Sequence, residues 1–112
     1  MHPIVEQQIE RLADYVRQSR RIVFLGGAGV STASGIPDFR SAGGLYGVKG
    51  ALPPEQILSQ SFFAAHPEEF FNYYRANLLH LDAQPNAVHK KLAELERAGK
   101  LLAVITQNID GL

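Results

Sequence analysis

Gly26-Gly27-Ala28-Gly29 follows directly on the apolar run Ile22-Val23-Phe24-Leu25 and leads into a segment compatible with a short helix. A glycine turn between a strand and a helix can do phosphate chemistry. Glycines let the backbone approach a pyrophosphate, and the helix N-terminus offers N–H groups and the positive end of a dipole. The full dinucleotide fingerprint is only partly met. Gly27 and Gly29 supply its first two glycines, Thr32 stands where the third belongs, and no acid closes a second strand about 20 residues further on. The same glycines also suit a plain tight turn. Gly29-Val30-Ser31-Thr32-Ala33 has the outline of a nucleophile elbow, but no His and acid can be assigned to complete it.

A second polar group of residues, Thr106-Gln107-Asn108-Ile109-Asp110-Gly111, follows a second apolar run, Leu101 to Thr106. Open α/β sheets bind ligands beyond the carboxyl ends of their strands. If the two runs are neighbouring parallel strands, this group lies beside the glycine turn. Gln107 and Asn108 could then bond a ribose or an amide, and Asp110 could accept from a carboxamide NH₂. An ordinary polar turn is the alternative, since Asn, Asp and Gly all favour turns. The four histidines, His2, His66, His80 and His89, are scattered, and without cysteine they make no metal site. His66 before Pro67 reads as a helix-cap residue and His89 as a surface or packed position.

The elements that must position these residues are readable from periodicity. Val5, Ile9, Leu12 and Val16 recur at spacings of three and four, one apolar face of a helix over about 4–16. The runs 22–25 and 101–106 are apolar on both faces, as in buried parallel strands. Pro54 with Glu55, and Pro67 with Glu68 and Glu69, mark helix starts. Asn86 is an N-cap and Gly99 the C′ residue of a helix over about 87–98, with Val88, Leu92 and Leu95 as its buried stripe. Ser41 to Gly50 is a glycine-rich loop. Six of the ten aromatic residues lie between Phe62 and Tyr74, as a helical module packing on the rest or as a partner surface.

With 112 residues there is one domain at most. Eleven cationic and eleven anionic side chains balance, which argues against a broad grip on nucleic acid or anionic lipid. No apolar run reaches the ~18 residues of a membrane span, and the N-terminus lacks a signal-peptide core. Without cysteine there is no disulfide framework, so a reducing, cytoplasmic setting is expected. Two strands do not make a sheet that stands alone. The expectation is the N-terminal piece of a larger α/β domain, with a complete small α-rich domain as the alternative.

Two stretches carry a resemblance. Gly27-Ala28-Gly29-Val30-Ser31 through Ser34-Gly35-Ile36-Pro37-Asp38-Phe39-Arg40-Ser41 resembles the first motif of the sirtuins, and Thr106 to Leu112 resembles the second. Between them, Pro85-Asn86-Ala87-Val88-His89 and Leu92-Ala93-Glu94-Leu95-Glu96 are similar to the helix before the second motif. The resemblance implies an incomplete Rossmann-like parallel sheet with an inserted helical segment over about 41–80. It implies NAD-dependent removal of acetyl groups from lysines of a protein or peptide partner. The acyl oxygen attacks C1′ of the nicotinamide ribose, nicotinamide leaves, and O-acetyl-ADP-ribose results.

By the same resemblance, Ala28 and Gly29 line the pyrophosphate of NAD with Thr32 nearby, and Arg40 sits at the phosphates and ribose. Phe39 shields the nicotinamide side of the ribose from water. Gln107 and Asn108 hold that ribose, and Ile109 and Asp110 hold the nicotinamide. Gly26 stands where many sirtuins have Thr, which suggests a looser turn. The family's general-base His follows its second motif directly, and its zinc-binding cysteines come later still. The chain alone is therefore expected to be inactive, the alternative being a non-catalytic remnant with weak NAD binding. A mono-ADP-ribosyl transfer reading is a minor branch of the same chemistry. Tyr46 is followed by Lys49, not Arg, so the Tyr–Arg pair of desuccinylases is not evident.

Overall fold

A computed structural model describes residues 1–40, 44 and 52–112. The expected loop over 41–50, with Tyr46 and Lys49, falls outside the described residues apart from Gly44. The first helix, α1, spans Pro3–Gln18. Its N-cap is His2, whose ring nitrogen accepts from the Ile4 N–H at 3.3 Å, and Pro3 fills the first turn, where no N–H partner exists. At its other end the Lys100 ammonium donates to the Val16 and Arg17 carbonyls at 2.7 and 2.9 Å. Those last carbonyls have no partner within the helix, and the negative end of its dipole favours a cation.

β1 (Ile22–Gly26) and β2 (Leu101–Thr106) pair in parallel. The register runs from Ile22 opposite Leu101 to Gly26 opposite Thr106, with an irregularity between Ile22 and Val23 that leaves Leu102 as the extra residue. The parallel pairing follows the sequence reading; the burial does not. Leu25 is 67% exposed, and Val23, Leu102, Val104 and Ile105 are exposed too. A parallel sheet needs cover on both faces, and among the described residues α5 is the helix packed on this one. Gly26 is buried and ends the ladder opposite Thr106.

α5 (Ala87–Arg97) has the caps the sequence announced. Asn86 Oδ1 accepts from the Val88 N–H at 2.9 Å, and Gly99 takes φ +73° just past the helix, where a Cβ would be strained. Leu92 and Leu95 are half-buried, but Val88 is exposed, a correction to the expected stripe. The face of α1 is likewise open, with Leu12 62% exposed.

The inserted segment folds as α2 (Pro54–Ile57), α3 (Gln60–Ala65) and α4 (Pro67–Tyr73), continuing into a π-helical turn over Tyr74–Leu78. Ser59 caps α3 through the Phe62 N–H at 3.2 Å, and Phe62 is only 8% exposed. Phe63, Phe70 and Phe71 meet edge to face, with centroids 4.8 to 5.7 Å apart. The aromatic cluster thus packs chiefly on itself, with Phe63 and Phe71 still exposed. His66 joins α3 to α4 as expected of a cap position, though without a side-chain capping bond.

Candidate functional site

The ladder delivers both loops from one end of the sheet. It is extended by the Gln107 N–H, which donates to the Gly26 carbonyl at 3.0 Å. From there Asn108 turns back and donates from Nδ2 to the Gly27 carbonyl at 2.9 Å. A Cβ on Gly27 would come within 3.2 Å of Gln107 Oε1, the tip of an exposed side chain that would have to give way by a few tenths of an ångström. Gly29 differs, since a Cβ there would meet nothing within 4 Å. Among the described residues no neighbour requires that glycine, and the space beside it is open to a ligand.

The segment after the glycines is a 3-10 helix, Ala28–Ser34, ending at Gly35 with φ +86°. Its most buried side chain is Ser31, 1% exposed. The Ser31 hydroxyl donates to Asp110 Oδ2 at 2.6 Å, and Asn108 Nδ2 lies 3.4 Å from Ser31 Oγ. Asp110 Oδ1 accepts from the Leu112 N–H at 3.0 Å. Burial pushes the Asp110 carboxyl up. The Ser31 and Leu112 donors and the field of His89 together outweigh that and hold it below the usual carboxylate range. Asp110 is therefore a carboxylate at neutral pH with acceptor capacity beyond its two donors.

A cleft of about 110 Å³ opens at this junction, and Ala28, Phe39, Gln107, Asn108, Ile109 and Asp110 all line it. Of the nine residues singled out in the sequence, these six converge. Gly29, Thr32 and Arg40 are outside the lining. The Thr32 hydroxyl is turned back onto the Gly29 carbonyl at 3.0 Å, so it shapes the turn. Asn108 has both its N–H donors engaged, which leaves Oδ1 as the atom to offer a ligand.

The cleft also contains residues the sequence did not flag. Ser31 entered the sequence reading within the elbow outline and the first sirtuin-like motif, with no role of its own; its one physical signal is a hydroxyl in the uncharged stretch 22–37. Asn77 and Leu78 reach the lining from the π-helical turn, a form no apolar period reports. A larger hollow of about 360 Å³ lies between α5 and the strands, walled by Phe24, Val30, Leu92, Leu101 and Val104. It shares Asn108 and Asp110 but is mainly uncovered packing surface, so the chemistry is assigned to the smaller cleft.

The family description "Sir2 family" matches residues 27–112. The chain belongs to the Sir2 family. It is 54% identical over 110 residues to an NAD-dependent protein deacetylase of Clostridium perfringens (strain 13 / Type A), covering 96% of this chain and 45% of that protein. A Cutibacterium acnes (strain DSM 16379 / KPA171202) protein with the same description is 57% identical over 105 residues, with 92% and 43% covered. Among solved structures, a Sir2 homolog–NAD complex superposes with a TM-score of 0.75 at 41% identity, covering 92% of this chain and 40% of the other. A Sir2–p53 peptide–NAD+ complex gives 0.74 at 42%, with 91% and 39% covered. The fold is thus the Rossmann-like sirtuin fold, and the chain spans less than half the length of these Sir2 relatives.

No group of three metal-ligating side chains occurs among the described residues, and the sequence has no cysteine. NAD fits this segment in the terms the site sets: an open glycine backbone, an anionic acceptor and an aromatic wall. No helix of the described residues is long and apolar enough to cross a membrane.

Proposed function

We propose that this chain forms the NAD-binding half-site of a Sir2-type protein-lysine deacetylase acting on acetylated protein or peptide. The observation that carries the reading is the Ser31–Asp110 hydrogen bond, which fastens the glycine-turn helix to the loop after β2 at the mouth of the cleft. NAD, when bound, would supply the glycosidic bond to nicotinamide that the reaction breaks. Ala28 and Gly29 give the pyrophosphate a backbone it can approach closely, Thr32 holds that turn, and Arg40 adds a cation toward the phosphates and ribose. Gln107 and Asn108 accept from the ribose hydroxyls. Asp110, kept anionic by its donors, accepts from the carboxamide NH₂ beside Ile109. Phe39 excludes water from the face where nicotinamide departs.

In this reading residues 1–112 are the N-terminal part of the catalytic domain, with about 41–80 as its loop and helical insertion. By the resemblance, the general-base His and the zinc-binding cysteines of such an enzyme would lie outside these 112 residues. The cysteine-free sequence fits a cytoplasmic setting. The open sheet favours a second reading for the chain by itself, NAD binding without turnover.

The test has two parts. NAD is titrated into the 112-residue chain by calorimetry, and nicotinamide release is followed with and without an acetyl-lysine peptide, for the chain and for a protein of the relatives' full length carrying it. Saturable binding by the chain, with peptide-dependent release only from the long form, is expected. No binding by either form would sink the proposal, and release from the chain alone would sink the second reading.

A further inference from the structure

Asn86 does more than begin α5. Its Oδ1 receives the Val88 N–H, which is the helix cap, while its Nδ2 reaches across the fold to the Val30 carbonyl at 2.8 Å and Ser34 Oγ at 3.0 Å. Both of those acceptors lie on the 3-10 helix that follows the glycine turn. Its own N–H donates to His89 Nδ1 at 3.1 Å, closing a capping box that fixes the residue from behind. One side chain therefore joins the start of α5 to the segment that carries Ala28, Gly29 and Ser31. These bonds span 52 and 56 residues of sequence, so they are tertiary and not local turn bonds.

We propose that Asn86 is a positioning residue of the nucleotide site. Its cap-independent amide donors hold the 3-10 helix at the height where Ser31 meets Asp110 and the glycine backbone faces the cleft. The 3-10 helix is seven residues long, poorly bonded by nature, and followed by a left-handed glycine. Among the described residues its side-chain anchors outside itself are Asp110 and Asn108 at Ser31, and Asn86 at Val30 and Ser34. With the second removed, the turn is left to pivot on Ser31, and the backbone offered to the pyrophosphate loses its fixed position. The inference rests on the NAD-binding reading above.

The two duties of Asn86 are separable by substitution. Asn86→Asp keeps an acceptor for Val88 and suits the positive end of the helix, but it has no N–H to donate and sets an anion against the Val30 carbonyl. Asn86→Ser keeps a cap without the charge and without the reach. NAD affinity is measured on the chain by calorimetry, and amide hydrogen exchange is read in parallel. The reporters are Gly35 and Ile36, whose N–H groups bond the Thr32 and Ser31 carbonyls, and Lys90 in the first turn of α5.

Both variants are expected to weaken NAD by about tenfold, the scale of one lost hydrogen bond. Exchange at Gly35 and Ile36 should rise while Lys90 keeps its protection. Unchanged affinity and exchange at Gly35 and Ile36 would overturn the proposal. So would loss of protection at Lys90 in step with Gly35, which would make Asn86 a helix cap and nothing more. If neither the unaltered chain nor the long form binds NAD, the binding reading fails, and the exchange pattern alone decides the role of Asn86.

Discussion

Ser31 is a small side chain with a large share of the site's geometry. Removing its hydroxyl in Ser31→Ala leaves Asp110 Oδ2 without its donor inside a half-buried junction. Hydrogen bonds to charged groups contribute about 1.5–3 kcal/mol, so NAD binding to the chain should weaken by roughly ten- to a hundredfold, which calorimetry would read. The same substitution should raise the Asp110 titration midpoint. In the unaltered chain that carboxyl titrates below its ordinary value, held down against the opposing effect of burial by Ser31, Leu112 and His89. A lowered folded value means the stabilisation is whole above the ordinary carboxylate range and is lost as pH falls through the folded value. An NMR titration of the Asp110 side-chain carboxyl should place its midpoint below that of a free Asp, and closer to it in Ser31→Ala. A midpoint at or above the free value in the unaltered chain would contradict this account.

At the scale of elements, each helix end gives a separable test. Gly99 sits at φ +73°, and a Cβ in that conformation costs about 1–2 kcal/mol. Gly99→Ala should therefore lower the thermal midpoint by several degrees, and an unchanged midpoint would show that the turn relaxes. Lys100→Met keeps the stem of the side chain but removes the ammonium from the Val16 and Arg17 carbonyls. Amide exchange in the last turn of α1 should accelerate, while α5 stays protected.

These caps show where the sequence was legible. Asn86 and Gly99 announced boundaries because capping chemistry is local, His66 did so through the Pro67 that follows it, and 22–25 and 101–106 read as strands because a run apolar on both faces has few other uses. The 3-10 form of Ala28–Ser34 and the π turn at Tyr74–Leu78 carry no such mark: the first is tied to Asn86 and Asp110 far along the chain, and the second has no apolar period to announce it. The site divides in the same way: Gln107, Asn108 and Asp110 stood out as polar groups at a strand end. Ser31, Asn77 and Asn86 acquire their roles only from partners or walls that the fold brings to them.

At the scale of the whole molecule, burial is sparse. The radius of gyration is 17.6 Å, against about 13 Å for a compact domain of this length. Among the described residues Phe62 is the one large apolar side chain that is buried, while Leu25 and Ile105 are exposed on a two-stranded sheet. The chain covers 45% of the Clostridium perfringens relative and 43% of the Cutibacterium acnes one. Exposed strands with open edges are templates for further pairing. The chain should bind a hydrophobic dye and associate as concentration rises, and Leu25→Lys should reduce both in light scattering and fluorescence. Equal association by Leu25→Lys would place the contact elsewhere, at α1 or the aromatic cluster.

The Ser31–Asp110 bond joins residues 79 positions apart, and this distance has a kinetic consequence. Lengthening a closed loop from about 10 to about 80 residues adds roughly 2 kcal/mol of closure entropy. The helices α1 and α5 need no such closure, so they can form while the chain ends are still apart, and the strand pair and its cleft come last. Substitutions at the cleft should accordingly speed unfolding and leave the refolding rate nearly unchanged, whereas those at the caps of α5 should slow refolding. The nucleotide site would then be the final part of the chain to assemble and the first to come apart.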